Sequence, residues 1–540
     1  MKKLLIFASL LAAAATTFAQ SPVLVRMPHV PILTDRMDNR LFEIRVEAHK
    51  GQILNSVTIE FDDRTALSDI KELSLYYSGT DGNRQGVYYT PVNYISKDIA
   101  GRTRSANPTY SVLQSKLKPK LHSVTLTSEQ PMLEGVNYFW VSIRMSPRTP
   151  LDALVSARIA DMRIDGAKIP TETAANAGKP RKVGIGVRHA GDDGVAAYRI
   201  PGLVTTNKGT LLGVYDVRRN SSVDLQEAID IGVSRSTDKG QTWERMRIAM
   251  TFAGEGGLPD AQNGVGDPSI LVDKQTGTIW IVAARTFGMG NLRAWNNSRP
   301  GMSVDDTAQL MLVRSDDDGK TWSKPVNITE QVKDPSWHFL LQGPGRGITM
   351  KDGTLVFPIQ FIDSVRIPHA GIMYSKDRGN TWTIHSPARS NTTEAQVAEV
   401  SDGVLMLNMR DNRGGSRAVS VTEDLGKTWT EHPSNRSALR EPVCMASLLA
   451  VPAGDNVLGR DLLFFSNPDT TQRRNHITVK ASLDGGVTWP EEYQIMLDEE
   501  DGWGYSCLTL VDRETIGILY ESSVAHMVFQ TVKIKELIKL

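Results

Sequence analysis

Between about Leu41 and Ile164 apolar residues alternate with polar ones or run in short continuous stretches. Val57-Thr-Ile-Glu-Phe61, Leu73-Ser-Leu-Tyr-Tyr77 and Val136-Asn-Tyr-Phe-Trp-Val-Ser-Ile143 are examples. A two-residue period of this kind predicts β-strands. With no helical spacing between them, the strands predict an antiparallel β-sandwich. Residues 171–180 carry few apolar side chains and read as a linker, which puts a domain boundary at residue 180.

Beyond that boundary one pattern recurs. Ser236-Thr-Asp-Lys-Gly-Gln-Thr-Trp243 is echoed from residues 315, 375, 422 and 482, each time as S/T-x-D-x-G-x-T-W. The hydroxyl and carboxylate side chains suit the backbone groups of a turn, the glycine admits positive φ, and the tryptophan covers the turn. These aspartates are therefore hairpin-closing residues rather than candidates for catalysis or metal binding. A fixed unit repeated with loops of varying length, in strand-rich sequence, predicts a propeller. At roughly 60 residues per unit, the span 181–540 predicts six blades, the one without the motif being built from both ends of the span. The expected fold class is all-β: a six-bladed β-propeller preceded by an N-terminal β-sandwich over residues 20–180.

Composition narrows the function classes. The 540 residues carry 61 basic and 61 acidic side chains, so an extended nucleic-acid surface is not expected, and selectivity for an anion must come from a few focused arginines. Residues 1–19 hold two lysines, an apolar run from Leu4 to Ala15, and small residues at Thr17 and Ala19. They predict a signal peptide cleaved after Ala19, too short for a membrane span, and hence a secreted or periplasmic protein. Cys444 and Cys507 are the only cysteines. An oxidising compartment permits them to pair, and two buried thiols is the other reading. The ten histidines form no zinc-binding pattern, so neither metal nor cofactor is expected.

Tyr198-Arg-Ile-Pro201, upstream of the first repeat, resembles the [FY]-R-I-P motif of sialidases, and further motifs follow in that family's order as far as Glu521. The resemblance is to a bacterial exo-α-sialidase with Asp-box repeats, and it implies sialylated glycans as substrate. A sialic acid bears its carboxylate on the anomeric carbon, so its site needs fixed guanidinium groups. The resemblance places these at Arg199, Arg410 and Arg474, with the neighbouring Arg473 the alternative for the third.

The same carboxylate repels an anionic nucleophile, which is why sialidases use a phenol activated by a carboxylate. The resemblance makes Tyr505 the nucleophile, Glu394 its base (Glu399 the alternative) and Glu521 the residue orienting Arg199. Asp224, 25 residues after Arg199, matches the general acid. Arg218, or Arg219 in its place, and Asp267 match residues near the C4 hydroxyl and N-acetyl group. Gln342 is a rim candidate, and the segment from Gly288 to Asp306, with Trp295, is either an aglycone border or a surface insertion. Tyr76, Tyr77, Tyr138 and Trp140 of the sandwich suit sugar stacking or core packing alike.

Overall fold

The computed structural model describes residues 23–80, 111–173, 179–289 and 293–539. The leader expected at residues 1–19 lies outside the described residues, as do residues 174–178 of the expected linker. The chain is all-β, and among the described residues the α-helices are single turns of four residues.

The first part of the chain forms two sheets. One has the strand order Glu172–Thr173, Val23–Arg26, Asn39–Ala48, Gly135–Met145, Ile70–Tyr77, Val112–Leu117. The other runs Ala167–Lys168, Ala157–Ile164, Leu54–Phe61, Ser123–Thr127. Alternation along these strands sends Ile44, Leu75 and Val141 from the first sheet and Val57 and Ile59 from the second into a shared core, the expected outcome where each sheet must bury one face. Trp140 is buried and stacked on Tyr76 with ring centroids 4.4 Å apart, and the Tyr77 hydroxyl donates to Asn137 at 2.7 Å. Packing and internal hydrogen bonds therefore account for these three aromatics.

Among the described residues seven further sheets follow: six are each led by an antiparallel pair of strands, and the seventh is the two-stranded pairing of Gly415–Ser416 with Arg440–Glu441. The first strands of the six are Ala197–Thr205, Val265–Val272, Phe339–Gln342, Thr392–Ser401, Ser447–Val451 and Ser506–Asp512. Five of the sheets are built in chain order. In the sixth, the fourth strand, Arg181–Arg188, comes from the beginning of the span and pairs with Met527–Lys533 from its end. Of the six, the sheet without the repeat motif is this one.

The repeats all close the turn between the third and fourth strands. In the first, the Asp238 carboxylate accepts from Ser236 Oγ at 2.8 Å and from the Thr242 backbone and hydroxyl at 2.9 and 2.6 Å. Gly240, at φ 91°, donates its N–H to Ser236 Oγ at 2.8 Å. The other four copies repeat these bonds. Each first strand runs opposite to the second and parallel to the third. The turns that end the third strands therefore lie far from the end where first strands begin and second strands finish.

Candidate active site

That opposite end gathers the candidate side chains that the sequence singles out. Arg199, Asp267 and Glu394 each stand third in a first strand, and Tyr505 immediately precedes another. Arg218 ends a second strand, Arg410 stands next to last in one, and Glu521 directly follows one. Antiparallel pairing puts starts beside ends: Ala197 faces Arg218, Thr392 faces Asp411, and Ser506 faces Tyr520.

Three first strands are bulged where the candidate residue sits, with register breaks between Arg199 and Gly202, Gly266 and Ser269, and Thr392 and Ala395. Ile200 and Asp267 both have φ near +60° and both precede a proline. A positive φ at a β-branched residue is costly, and bulges of this kind re-aim side chains next to a site. The Ile200 N–H so exposed donates to Glu521 Oε1 at 2.9 Å.

At the centre is Tyr505. Its hydroxyl donates to Glu394 Oε1, and Arg410 reaches both groups through Nη1, at 2.6 Å from Glu394 Oε2 and 3.2 Å from the phenolic oxygen. The guanidinium carbons of Arg199 and Arg474 lie 5.4 and 5.6 Å from the ring centre. Burial first, then the Glu394 charge, push the phenol well above its ordinary pKa against the pull of Arg410 and Arg474. The resting phenol is thus neutral with its proton directed at a carboxylate. Gly504, at φ 87°, makes the approach possible, because a Cβ there would stand 3.0 Å from Arg474 Cβ and 3.2 Å from Cys444 Sγ.

A second carboxylate group flanks this pair. Asp224 Oδ1 accepts from Arg218 Nη1 at 2.6 Å and lies 3.7 Å from Arg199 Nη1, and Arg293 approaches Oδ2 at 3.9 Å. Burial works against ionisation of Asp224, but Arg218 and Arg199 outweigh it and hold the carboxyl well below the usual range. Asp267 goes the other way: burial and the nearby Asp216 raise it well above that range. Asp216 grips Arg218 through Nε and Nη2 at 3.0 and 2.8 Å and accepts the Asp267 N–H at 2.7 Å.

The alternatives separate by geometry. Arg474 turns inward, donating to the carbonyls of Trp503 and Val443 at 3.1 and 3.3 Å, whereas exposed Arg473 pairs with Asp501. Arg218 is fully buried among the carboxylates, while Arg219 pairs with Asp230 at 2.6 Å. Glu399 is five residues down the strand from Glu394, at the far end, accepting from the Lys351 N–H at 2.8 Å. Gln342 is buried rather than at the rim and donates to the Asp267 carbonyl. Trp295 packs edge-on to Phe339 at 5.7 Å, and Arg293 brings its segment to Asp224.

Sequence reasoning did not place Asp216, Cys444 or Trp503 at the site; the Trp503 ring lies 4.9 Å from the Arg199 guanidinium. For Asp216 a signal existed, since Asp216 and Arg218 are two apart on one strand and share a face. Cys444 and Cys507 are both buried free thiols.

Comparison with known proteins places this architecture in the class of BNR-repeat proteins. Residues 20–168 match the N-terminal domain of BNR-repeat neuraminidase, and residues 220–518 match the BNR repeat-like domain. The sialidase of Bacteroides fragilis (strain YCH46) is 60% identical over 544 residues, covering 100% of both chains. The structure of the Hadza microbial sialidase Hz136 superposes with a TM-score of 0.89 at 65% identity, over 95% of this chain and 100% of that one. Trypanosoma rangeli sialidase in complex with 2,3-difluorosialic acid, described as a covalent intermediate, matches at 25% identity and a TM-score of 0.53, over 67% of this chain and 56% of that one. The chain belongs to the bacterial sialidase family, and it is a glycoside hydrolase, an exo-α-sialidase.

Among the described residues no helix is long and apolar enough to cross a membrane.

Proposed function

We propose that the protein removes terminal α-linked sialic acid from glycoconjugates with retention of configuration, through a covalent intermediate on Tyr505. The observation that carries this reading is the Tyr505 hydroxyl directed at Glu394 with Arg199, Arg410 and Arg474 around the same ring. Three guanidinium groups converging on one point suit a carboxylate. A neutral phenol beside that carboxylate avoids the repulsion an anionic nucleophile meets.

In the first step Glu394 accepts the phenolic proton as the Tyr505 oxygen bonds to the anomeric carbon. The bond to the leaving oxygen breaks, and Asp224 protonates that oxygen. In the second step Asp224 takes a proton from water, which displaces the tyrosyl oxygen at the same carbon. Its proton returns through Glu394. Two inversions at one centre give net retention. Glu521 orients Arg199, while Arg218 and Asp267 line the flank of the sugar site.

The scaffold for this chemistry is a six-bladed β-propeller over residues 181–540, following a sandwich over residues 20–180 and a cleaved leader over residues 1–19. Contacts between the leading strands support it: Ala197–Thr205 touches both Val265–Val272 and Ser506–Asp512, and Ser447–Val451 touches Thr392–Ser401 and Ser506–Asp512. Substrates then lie outside the cytoplasm, on glycoproteins or glycolipids.

The test uses 4-methylumbelliferyl α-sialoside and 2,3-difluorosialic acid. Tyr505→Phe should lower kcat by more than about 100-fold, the first product by NMR should be the α-anomer, and mass spectrometry should find the difluoro sugar on Tyr505. A β-anomer as first product, or an unlabelled Tyr505, refutes the mechanism.

A further inference from the structure

The segment that delivers Tyr505 is held at its start by the other part of the protein. After Gln494–Asp498, the last strand of the fifth sheet, the chain passes through residues 499–504 to enter the sixth sheet at Tyr505. Glu499 donates its N–H to the His29 carbonyl at 2.9 Å. Its carboxylate accepts the His29 N–H at 3.0 Å and Arg26 Nη2 at 3.2 Å. Glu500 accepts from Arg26 Nη2 at 2.8 Å and from both terminal nitrogens of Arg40. Glu43 closes the network by accepting from the same two arginines.

Arg26, His29, Arg40 and Glu43 all come from the N-terminal part of the chain. Burial works to raise the Glu500 carboxyl, but Arg40 and Arg26 outweigh it and bring it down to about 2. Downstream the segment has further anchors. Asp501 pairs with Arg473, the Gly502 N–H bonds the Arg474 carbonyl at 3.0 Å, Trp503 O takes Arg474 Nη1 at 3.1 Å, and the Tyr505 N–H bonds Glu521 Oε2 at 3.0 Å. Of these anchors, only the first pair, at Glu499 and Glu500, belongs to the N-terminal sheets.

We propose that the N-terminal two-sheet unit is a positioning element of the active site, in which Arg26 and Arg40 fix residues 499–504 through Glu499 and Glu500 and so set the places of Trp503 and Tyr505. This rests on the reading of Tyr505 as the attacking group. The network is a partly buried cluster of charges, with Arg40 and Glu43 inside and Arg26 at its edge. Such a cluster is weak evidence for stability, and its several directed bonds restrict where Glu499 and Glu500 can stand relative to Arg26 and Arg40. Trp503 lies against Arg199 and its carbonyl orients Arg474, so a shift at Glu500 is transmitted to two carboxylate-binding groups and the nucleophile. A misplacement of about 1 Å far from the chemistry can cost about 100-fold in rate.

The test is made on the full chain with Glu500→Gln, Arg40→Met, Arg40→Lys and the milder Arg26→Met, whose parent side chain is 42% exposed. At a temperature well below each variant's Tm, Glu500→Gln and Arg40→Met should lower kcat by about tenfold and slow labelling of Tyr505 by 2,3-difluorosialic acid to match, with KM within about twofold. Arg40→Lys should recover part of the loss, and Arg26→Met, at the most exposed of these three positions, should lose about threefold in kcat. If the variants lose only Tm while kcat and labelling rate stay at the wild-type values, the positioning role is wrong. If wild type itself takes no label on Tyr505, the nucleophile assignment falls first, and this inference with it.

Discussion

Glu521 ties Arg199 to the main chain of Tyr505: one carboxylate oxygen takes Arg199 Nε at 2.8 Å and the other takes the Tyr505 N–H at 3.0 Å. The carboxylate is fully buried, so its charge is matched by these donors and the Ile200 N–H rather than by water. Replacing it by the isosteric amide leaves Arg199 buried with only the more distant, half-exposed Asp224 as counter-charge, which should cost up to about 3–5 kcal/mol, the range for a broken buried pair. Glu521→Gln should lower Tm and reduce kcat/KM by more than about tenfold. A variant with wild-type kcat/KM on 4-methylumbelliferyl sialoside would show that Arg199 needs no such support.

Asp224 presents a pH problem whose sign can be worked out. In the free site Arg218 and Arg199 keep it ionised, yet the general-acid role proposed for it requires a proton when the glycosidic oxygen leaves. On the proposed mechanism an incoming carboxylate on Arg199 offsets the positive field, so the pKa of Asp224 should rise on binding. A group whose pKa rises on binding takes up a proton, and affinity therefore strengthens as pH falls. Titration calorimetry of a dehydrated sialic-acid analogue near pH 5, in buffers of different ionisation enthalpy, should show net proton uptake that Asp224→Asn abolishes. Equal uptake in the variant would assign the proton to another group.

Much of the site is legible in the sequence because its residues sit in short motifs at fixed places on strands. Arg199, Asp224, Glu394, Arg410, Tyr505 and Glu521 come together as a set, although 322 residues separate Arg199 from Glu521. Choices between neighbours were open, because motif matching alone does not say which of two adjacent side chains faces inward. Arg218 and Arg219, or Arg473 and Arg474, differ only in the face of the strand or turn they occupy, and that is set by register. Asp216 escaped for another reason: it supports Arg218 and the Asp267 backbone without belonging to a motif. The repeats disclosed their turns, since hydroxyl, carboxylate and glycine are all local. The network joining Arg26 and Arg40 to Glu500 could not be seen, because it spans 460 positions or more and uses no pattern.

The repeat aspartates separate stability from activity. Asp317 accepts from Ser315 Oγ, Lys320 N, Thr321 N and Thr321 Oγ1 at 2.7–3.1 Å, and although burial works the other way, these bonds bring its carboxyl down to about 2. A depressed carboxyl stabilises the fold above its unfolded pKa and loses that contribution as pH falls through the folded value. The window here runs from about pH 4 down to about 2. Asp317→Ala should cost about 1–2 kcal/mol near neutral pH and lose most of that difference by pH 2, as read by urea unfolding. Its kcat should match wild type, because the turn lies at the end of the strands away from Tyr505. A tenfold drop in kcat would mean that the two ends of the sheets are coupled.

The two thiols make a last prediction. Cys444 lies in a small buried cluster with Ile200, Met445 and Tyr505, and Cys507 lies one residue into the strand that follows Tyr505, its sulfur 3.7 Å from the Leu203 carbonyl. Burial raises both thiols, Cys507 to about 11, so the reactive thiolate is scarce at neutral pH. Ellman's reagent should therefore find no thiol in the native protein and two after unfolding, and a reductant should leave Tm unchanged. The sulfur of Cys444 stands 3.2 Å from where a Cβ on Gly504 would be, so the backbone just before Tyr505 has little room to move toward it. Cys444→Ala opens space and should cost about 1–2 kcal/mol with modest loss of kcat. Cys444→Leu overfills the same space, and the strain must fall on Gly504 or Ile200, the backbone neighbours of Tyr505 and Arg199. Its kcat should drop by about tenfold or more at a temperature where the fold is intact. Equal rates for the two variants would show that the cluster under Tyr505 adapts without moving it.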